Sequence, residues 1–172
     1  MKSTFPLLES KRLLLRQAQA KDWSQLAYLR SDKEVNEFVN RPAANGKKEA
    51  MAFIEQLHLD FQAAKMFYWV ICLKEKDEMI GSICLWHFSV DEKNAEIGCD
   101  LHPTFQGKGF MTEAMNRIID FGFSTLSLTS IEAYTHRHNQ ASTQLLKRTD
   151  FLLVEGKTDP DNTNNVVFVR KS

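Results

Sequence analysis

Cysteine is scarce in this sequence and poorly spaced for bridging. Its three thiols, Cys72, Cys84 and Cys99, are odd in number and widely separated, which argues against a disulfide framework or a thiolate metal site. Each lies in an apolar, strand-like run, so three buried free thiols in a reducing cytoplasm are expected. Charge excess is missing as well. The 22 basic side chains meet 22 acidic ones, leaving no surplus cation to neutralise a run of phosphates, so nucleic acid is not an expected partner. No apolar stretch approaches the ~20 residues of a membrane span, and no membrane is expected either. The opening stretch, Met1 to Glu9, has too short an apolar core for a secretory signal. There is no internal repeat, low-complexity tract or linker. With 172 residues and 43% hydrophobic content, one domain over 1–172 with a well-buried core is the expectation.

What the sequence does contain is organised around Asn94 to Leu126. Ala95, Ile97, Cys99 and Leu101 alternate with Glu96, Gly98 and Asp100, the period-2 pattern of a strand with two different faces. Pro103 has no N–H for a ladder, so pairing should stop near it. After Gln106-Gly-Lys-Gly-Phe-Met111, the residues Met111, Ala114, Met115, Ile118, Ile119 and Gly122 recur at three- and four-residue spacings. They predict a helix with one buried stripe. A strand feeding a helix through a glycine-bearing turn gathers unpartnered N–H groups at one point, where the helix dipole is positive. Such a point suits phosphate. Gly107 and Gly109 allow close backbone approach and positive φ, and Lys108 adds a full charge.

The phosphate is not that of a dinucleotide or P-loop protein. G-x-G-x-x-G fails at Thr112, and G-x-x-x-x-G-K-[ST] is absent. What remains is Q-x-x-G-x-M behind a strand reading A-E-I-G. At these residues the chain resembles the GNAT acyl-CoA N-acyltransferases, within them the RimJ/RimL-like ribosomal-protein N-terminal acetyltransferases. The resemblance runs from Glu9 to Val169. It implies a GNAT-like α/β (α+β) fold: a mixed central sheet, helices on both faces, and a parallel strand pair that splays apart at the coenzyme site. It further implies that the amides of Gln106, Gly107, Lys108, Gly109, Phe110 and Met111 hold the diphosphate of acetyl-CoA. The pantetheine arm would bond to the backbone from Cys99 to Leu101. Met111 stands where the family usually has a small residue.

Along the rest of the chain, Arg12–Arg16 reads as a strand. Asp22 with Gln25 reads as a capping box opening a helix. Ala50, Phe53, Ile54, Leu57, Phe61 and Ala64 define a second helix after the Asn45-Gly46 turn. Ser31–Gly46 is loop-like, with a turn of helix at Glu34–Phe38. Phe67–Leu73 and Met79–His87 read as a hairpin. Ser130–His136 alternates and should return parallel to the Ala95 strand as a βαβ unit. Asn139 can cap a short helix through Arg148, and Phe151–Val154 with Val166–Val169 closes the chain as a hairpin. The family usually has Gly where Asp150 stands, and Asp tolerates the left-handed conformation that such a cap requires.

Moving an acyl group from thioester to amine requires a neutral amine, donors for the oxyanion and a proton for the leaving thiolate. No enzyme nucleophile is needed, and no G-x-S-x-G occurs. Glu96 reads either as a general base acting directly or through water, or as a structural partner of an Arg or an amide. Asn139 and Ser142 fit a cap and a first-turn residue. The resemblance assigns Asn139 to the coenzyme and Ser142 to the sulfur as hydrogen-bond donor or proton source; no Tyr lies between Asn139 and Phe151 to take that place. His102, His136 and His138 match no zinc spacing, and Phe67-Tyr68-Trp69 and Trp86 read as strand core. The resemblance points to a primary amine acceptor, a protein N-terminus ahead of a small-molecule or aminoglycoside-like amine. A non-catalytic acyl-CoA sensor and a homodimer both stay open.

Overall fold

The computed structural model describes residues 4–172; residues 1–3, part of the stretch weighed as a leader, lie outside them. The strands are β1 (Leu8–Glu9), β2 (Leu13–Gln17), β3 (Met66–Leu73), β4 (Glu78–Trp86), β5 (Asn94–Leu101), β6 (Ser130–His136), β7 (Leu152–Leu153) and β8 (Asn165–Lys171). The helices are α1 (Trp23–Ser31), α2 (Lys47–Gln62), α3 (Phe110–Ser124) and α4 (Gln140–Arg148). All eight strands form one sheet in the order β1-β2-β3-β4-β5-β6-β8-β7. Every pairing is antiparallel except that of β5 with β6.

Both faces of the sheet are covered, as β3 shows in miniature. Its unbroken apolar run sends Trp69 and Ile71 into one core and Tyr68, Val70 and Cys72 into the other. The first core lies under α3 and α4, through Ala114, Met115, Ile118, Leu145 and Leu146. The second lies under α1 and α2, through Leu26, Leu29, Ile54 and Leu57. Every residue of the α3 stripe read from the sequence is buried. Asp150 ends α4 at φ 61°, the left-handed cap its side chain tolerates.

Two sequence expectations are corrected. Asp22 makes no side-chain cap of α1, which is preceded by a short 3-10 turn, Ala20–Asp22. Its carboxylate instead accepts two bonds from the Arg16 guanidinium, at 2.8 and 2.9 Å, and one from the Gln19 N–H at 2.8 Å. Both charged side chains are nearly sealed, 7% and 4% exposed. A buried guanidinium needs a carboxylate more than a helix start needs a cap. The second correction concerns the thiols. Cys72 is buried and Cys84 half-buried, but Cys99 is exposed, because the strand that would cover its edge turns away.

Candidate functional site

That departure creates the site. β5 and β6 run parallel over only three registers, Asn94 with Ser130, Ala95 with Ile131, and Glu96 with Glu132. Beyond them β5 stays bonded to β4 as far as Leu101, and β6 stays bonded to β8 as far as His136. The two strands therefore separate toward their C-terminal ends, each following its antiparallel neighbour. His102 donates its N–H to the Ile80 carbonyl. Alternation along an antiparallel ladder then turns the backbone groups of Cys99 and Leu101 away from β4, into the fork. Of these, the Leu101 carbonyl accepts a bond from the Gln106 side-chain amide at 3.0 Å.

A helix begins at each prong. After β5, the short 3-10 turn Pro103–Phe105 leads to a loop in which Gly107 and Gly109 take φ 72° and 78°, a conformation that favours glycine. α3 starts there with no side-chain cap, and its first internal bond runs from the Glu113 N–H to the Gly109 carbonyl. The N–H groups of Phe110, Met111 and Thr112 thus have no partner within the helix. Met111 is buried in the core rather than standing in the loop's open side. After β6, α4 starts at Gln140. Its cap is the one expected: Asn139 Oδ1 accepts the Ser142 N–H at 3.1 Å. Ser142 sits half-buried in the first turn.

Glu96 occupies the last joined register, on the sheet face away from α3. Its Oε1 lies 3.1 Å from His87 Nδ1, with a quarter of its side chain exposed. The neighbouring Glu132 accepts from the Tyr134 hydroxyl at 2.9 Å and from Lys157 Nζ at 2.5 Å. Burial first, then that bond to Glu132, holds the Tyr134 phenol protonated well above its ordinary range. On the same face Arg41 Nη2 reaches Asp100 at 2.8 Å, and Ser82 donates to the other Asp100 oxygen at 2.6 Å. Tyr28 stacks on His102, 4.5 Å between ring centres, and Phe38 lies 5.0 Å from His136. α1, through Tyr28, and the segment after it, through Phe38 and Arg41, therefore touch the ends of both prongs. None of the three histidines expected in loops or at strand ends joins a metal-ligand cluster, and no such cluster occurs among the described residues.

Sequence reading missed the support beneath the loop. Glu113, in the first turn of α3, accepts from the Ser10 hydroxyl at 2.5 Å, the Arg12 N–H at 2.7 Å and Arg12 Nε at 2.7 Å. Arg12 Nη1 donates to the Lys108 carbonyl at 3.1 Å. Burial pushes the Glu113 carboxyl up, but these three bonds outweigh it and hold it below its ordinary value. The partners are 101 residues apart in the chain, and no local pattern announces such a pair.

A fork between parallel strands, flanked by two helix starts, can admit an extended ligand, and an uncapped helix start suits an anion. Known proteins agree with that geometry. Residues 12–152 match the model of the Acetyltransferase (GNAT) domain. The chain is 36% identical over 149 residues to "Uncharacterized N-acetyltransferase p20" of Bacillus licheniformis, covering 84% of this chain and 81% of that protein. Among solved structures, the RimL ribosomal L7/L12 alpha-N-protein acetyltransferase (apo) superposes with a TM-score of 0.84 at 20% identity, covering 97% and 94% of the two chains. The Microcin C7 self immunity acetyltransferase MccE, in complex with acetyl-CoA and AMP, superposes with a TM-score of 0.80 at 25% identity, covering 95% and 94%. The chain belongs to the GNAT family, and it is an acetyltransferase that takes its acetyl group from acetyl-CoA.

Proposed function

We propose that acetyl passes directly from acetyl-CoA to the primary amine at a protein N-terminus, both bound together at the fork. The observation that carries this reading is the opening between β5 and β6, with an uncapped helix start on one prong and Asn139-capped α4 on the other. The amides from Gly107 to Met111, with Lys108 beside them, hold the diphosphate. Gln106 braces that loop against Leu101. The backbone of Cys99 and Leu101 bonds to the pantetheine arm, and Asn139 contacts the coenzyme. The amine nitrogen attacks the thioester carbonyl, Glu96 accepts its proton directly or through water, and the C–S bond breaks. Ser142 donates a hydrogen bond to the leaving sulfur, and the proton held by Glu96 returns to the thiolate through solvent. Glu96 is suited to this because it sits at the base of the fork on the face that α3 does not cover. Three unpaired cysteines support a cytoplasmic setting.

A small-molecule amine is the second reading. The similarity to MccE, whose structure holds AMP beside acetyl-CoA, favours it. Incubating peptide N-termini and small amines with acetyl-CoA, while following thiol release, separates the two. Glu96→Gln and Ser142→Ala should each lower kcat by about a hundredfold or more while leaving CoA affinity nearly unchanged. Full turnover in both variants would remove these two roles.

A further inference from the structure

We propose that Arg12 is a positioning residue for the coenzyme: it pins one peptide plane of the diphosphate loop so that an N–H, not a carbonyl, faces the anion. This rests on the reading that the loop from Gln106 to Met111 holds the diphosphate. An anion-binding loop works only if its amides point in and its carbonyls point out. With Gly107 and Gly109 both left-handed and without side chains, the peptide between Lys108 and Gly109 has little steric reason to hold one orientation. Arg12 supplies one. Its Nη1 takes the Lys108 carbonyl at 3.1 Å. In a planar trans peptide the following N–H points the opposite way, so the Gly109 N–H is turned from Arg12 toward the loop's open side.

Arg12 is itself held at several points, although its side chain is 42% exposed. Its carbonyl accepts the Lys74 N–H at 3.0 Å, and its own N–H and Nε both bond Glu113. The guanidinium lies over the Phe110 ring, 4.3 Å from its centre. Ser10 and Arg12 fix Glu113 beneath the loop, and Glu113 in turn fixes the guanidinium that reaches Lys108. The clamp thus couples the β1–β2 turn at the sheet's edge to the coenzyme loop. It acts on coenzyme binding rather than on the acetyl-transfer step.

The test uses the full-length protein, calorimetric titration with CoA, and steady-state kinetics. Arg12→Ala should weaken CoA about tenfold or more, the value of one charge-assisted bond, and raise the KM for acetyl-CoA in parallel. kcat at saturating acetyl-CoA and the KM for the acceptor should stay within about twofold, below the tenfold that one such bond is worth. Arg12→Lys keeps the charge but cannot bridge Glu113 and the Lys108 carbonyl together, so it should remain weak. The double variant Arg12→Ala/Glu113→Ala should be as weak as Arg12→Ala. Native CoA affinity in Arg12→Ala or Arg12→Lys overturns the proposal, and so does recovery in the double variant, which would make Arg12 a mere counter-charge. Gly109→Ala separates this from the underlying reading. If it binds CoA normally, the loop does not hold the diphosphate and both fall; if it is weak while Arg12→Ala is native, only the clamp falls.

Discussion

Replacing Asp22 by Asn distinguishes a helix cap from a buried ion pair by magnitude alone. Asn caps a helix about as well as Asp, so a capping role predicts a change of no more than a few tenths of a kcal/mol. The structure assigns Asp22 to Arg16, with two bonds below 3 Å and almost no solvent on either side chain. An Asn keeps one acceptor but turns an amide donor toward the guanidinium. Arg16 is then left with Asp77, at 2.7 Å, whose side chain is 40% exposed. Breaking a buried pair by neutralising one member costs about 3–5 kcal/mol. A chain of 172 residues has an unfolding entropy near 0.36 kcal/mol/K at ~2.1 cal/mol/K per residue, so Tm should fall by roughly 8–14 °C. Scanning calorimetry with urea unfolding at pH 7 measures both quantities. The double variant Arg16→Met/Asp22→Leu, with both charges gone and volume kept, should recover most of the loss. A shift below about 2 °C for Asp22→Asn, or a double variant no better than the single one, would refute the reasoning.

Three further outcomes are expected. Burial pushes the Cys72 and Cys84 thiols up to about 12, whereas Cys99 is exposed; a thiol reagent at pH 8 should label Cys99 first, and saturating CoA should block it, as peptide mass mapping would show. Lys21 foremost, and Arg16, hold the Asp77 carboxyl down at about 2 from 3.8. The stability this lends is therefore full above pH 4 and lost as pH falls toward 2. Asp77→Asn should flatten that part of the acid-unfolding curve, and an unchanged curve counts against the pairing. Gly81→Ala would set a Cβ 2.4 Å from the Asp100 carbonyl oxygen, so β5 must move. A loss of about 1–3 kcal/mol with weaker CoA binding is expected, whereas Gly156→Ala, with nothing within 4 Å of the added carbon, should spare CoA affinity.

The pattern of hits and misses in the sequence reading has a physical cause. α3, β5 and β6 were legible because burial on one face imposes a period that the chain itself carries, and the Asp150 cap because its backbone strain is local. Asp22 misled because the cap signal is local while its true partner, Arg16, comes to it from a neighbouring strand. Arg12 and Glu113 were silent for the same reason at longer range: an acid in the first turn of a helix already satisfies the dipole rule and invites no search for a distant cation. Cys99 failed differently. Alternation correctly put it on the face of Ile97 and Leu101, but a face is buried only if its flank is closed, and strand pairing is not written in any one strand.

That last failure is the most informative, because one event accounts for several features of the site. β6 leaves β5 after Glu132 to stay with β8, and β5 remains with β4. The separation exposes Cys99 and leaves its inward backbone groups without a strand partner, while the Leu101 carbonyl is taken by the Gln106 side chain. It also carries the start of α3 and the start of α4 to opposite sides of one opening. Extending the pairing by three more registers would set Thr135 beside Cys99 and cover the thiol. An extended arm bonding to β5 would take the place of the strand residues that β6 withholds, so the pairing the sheet gives up is also what leaves the fork open.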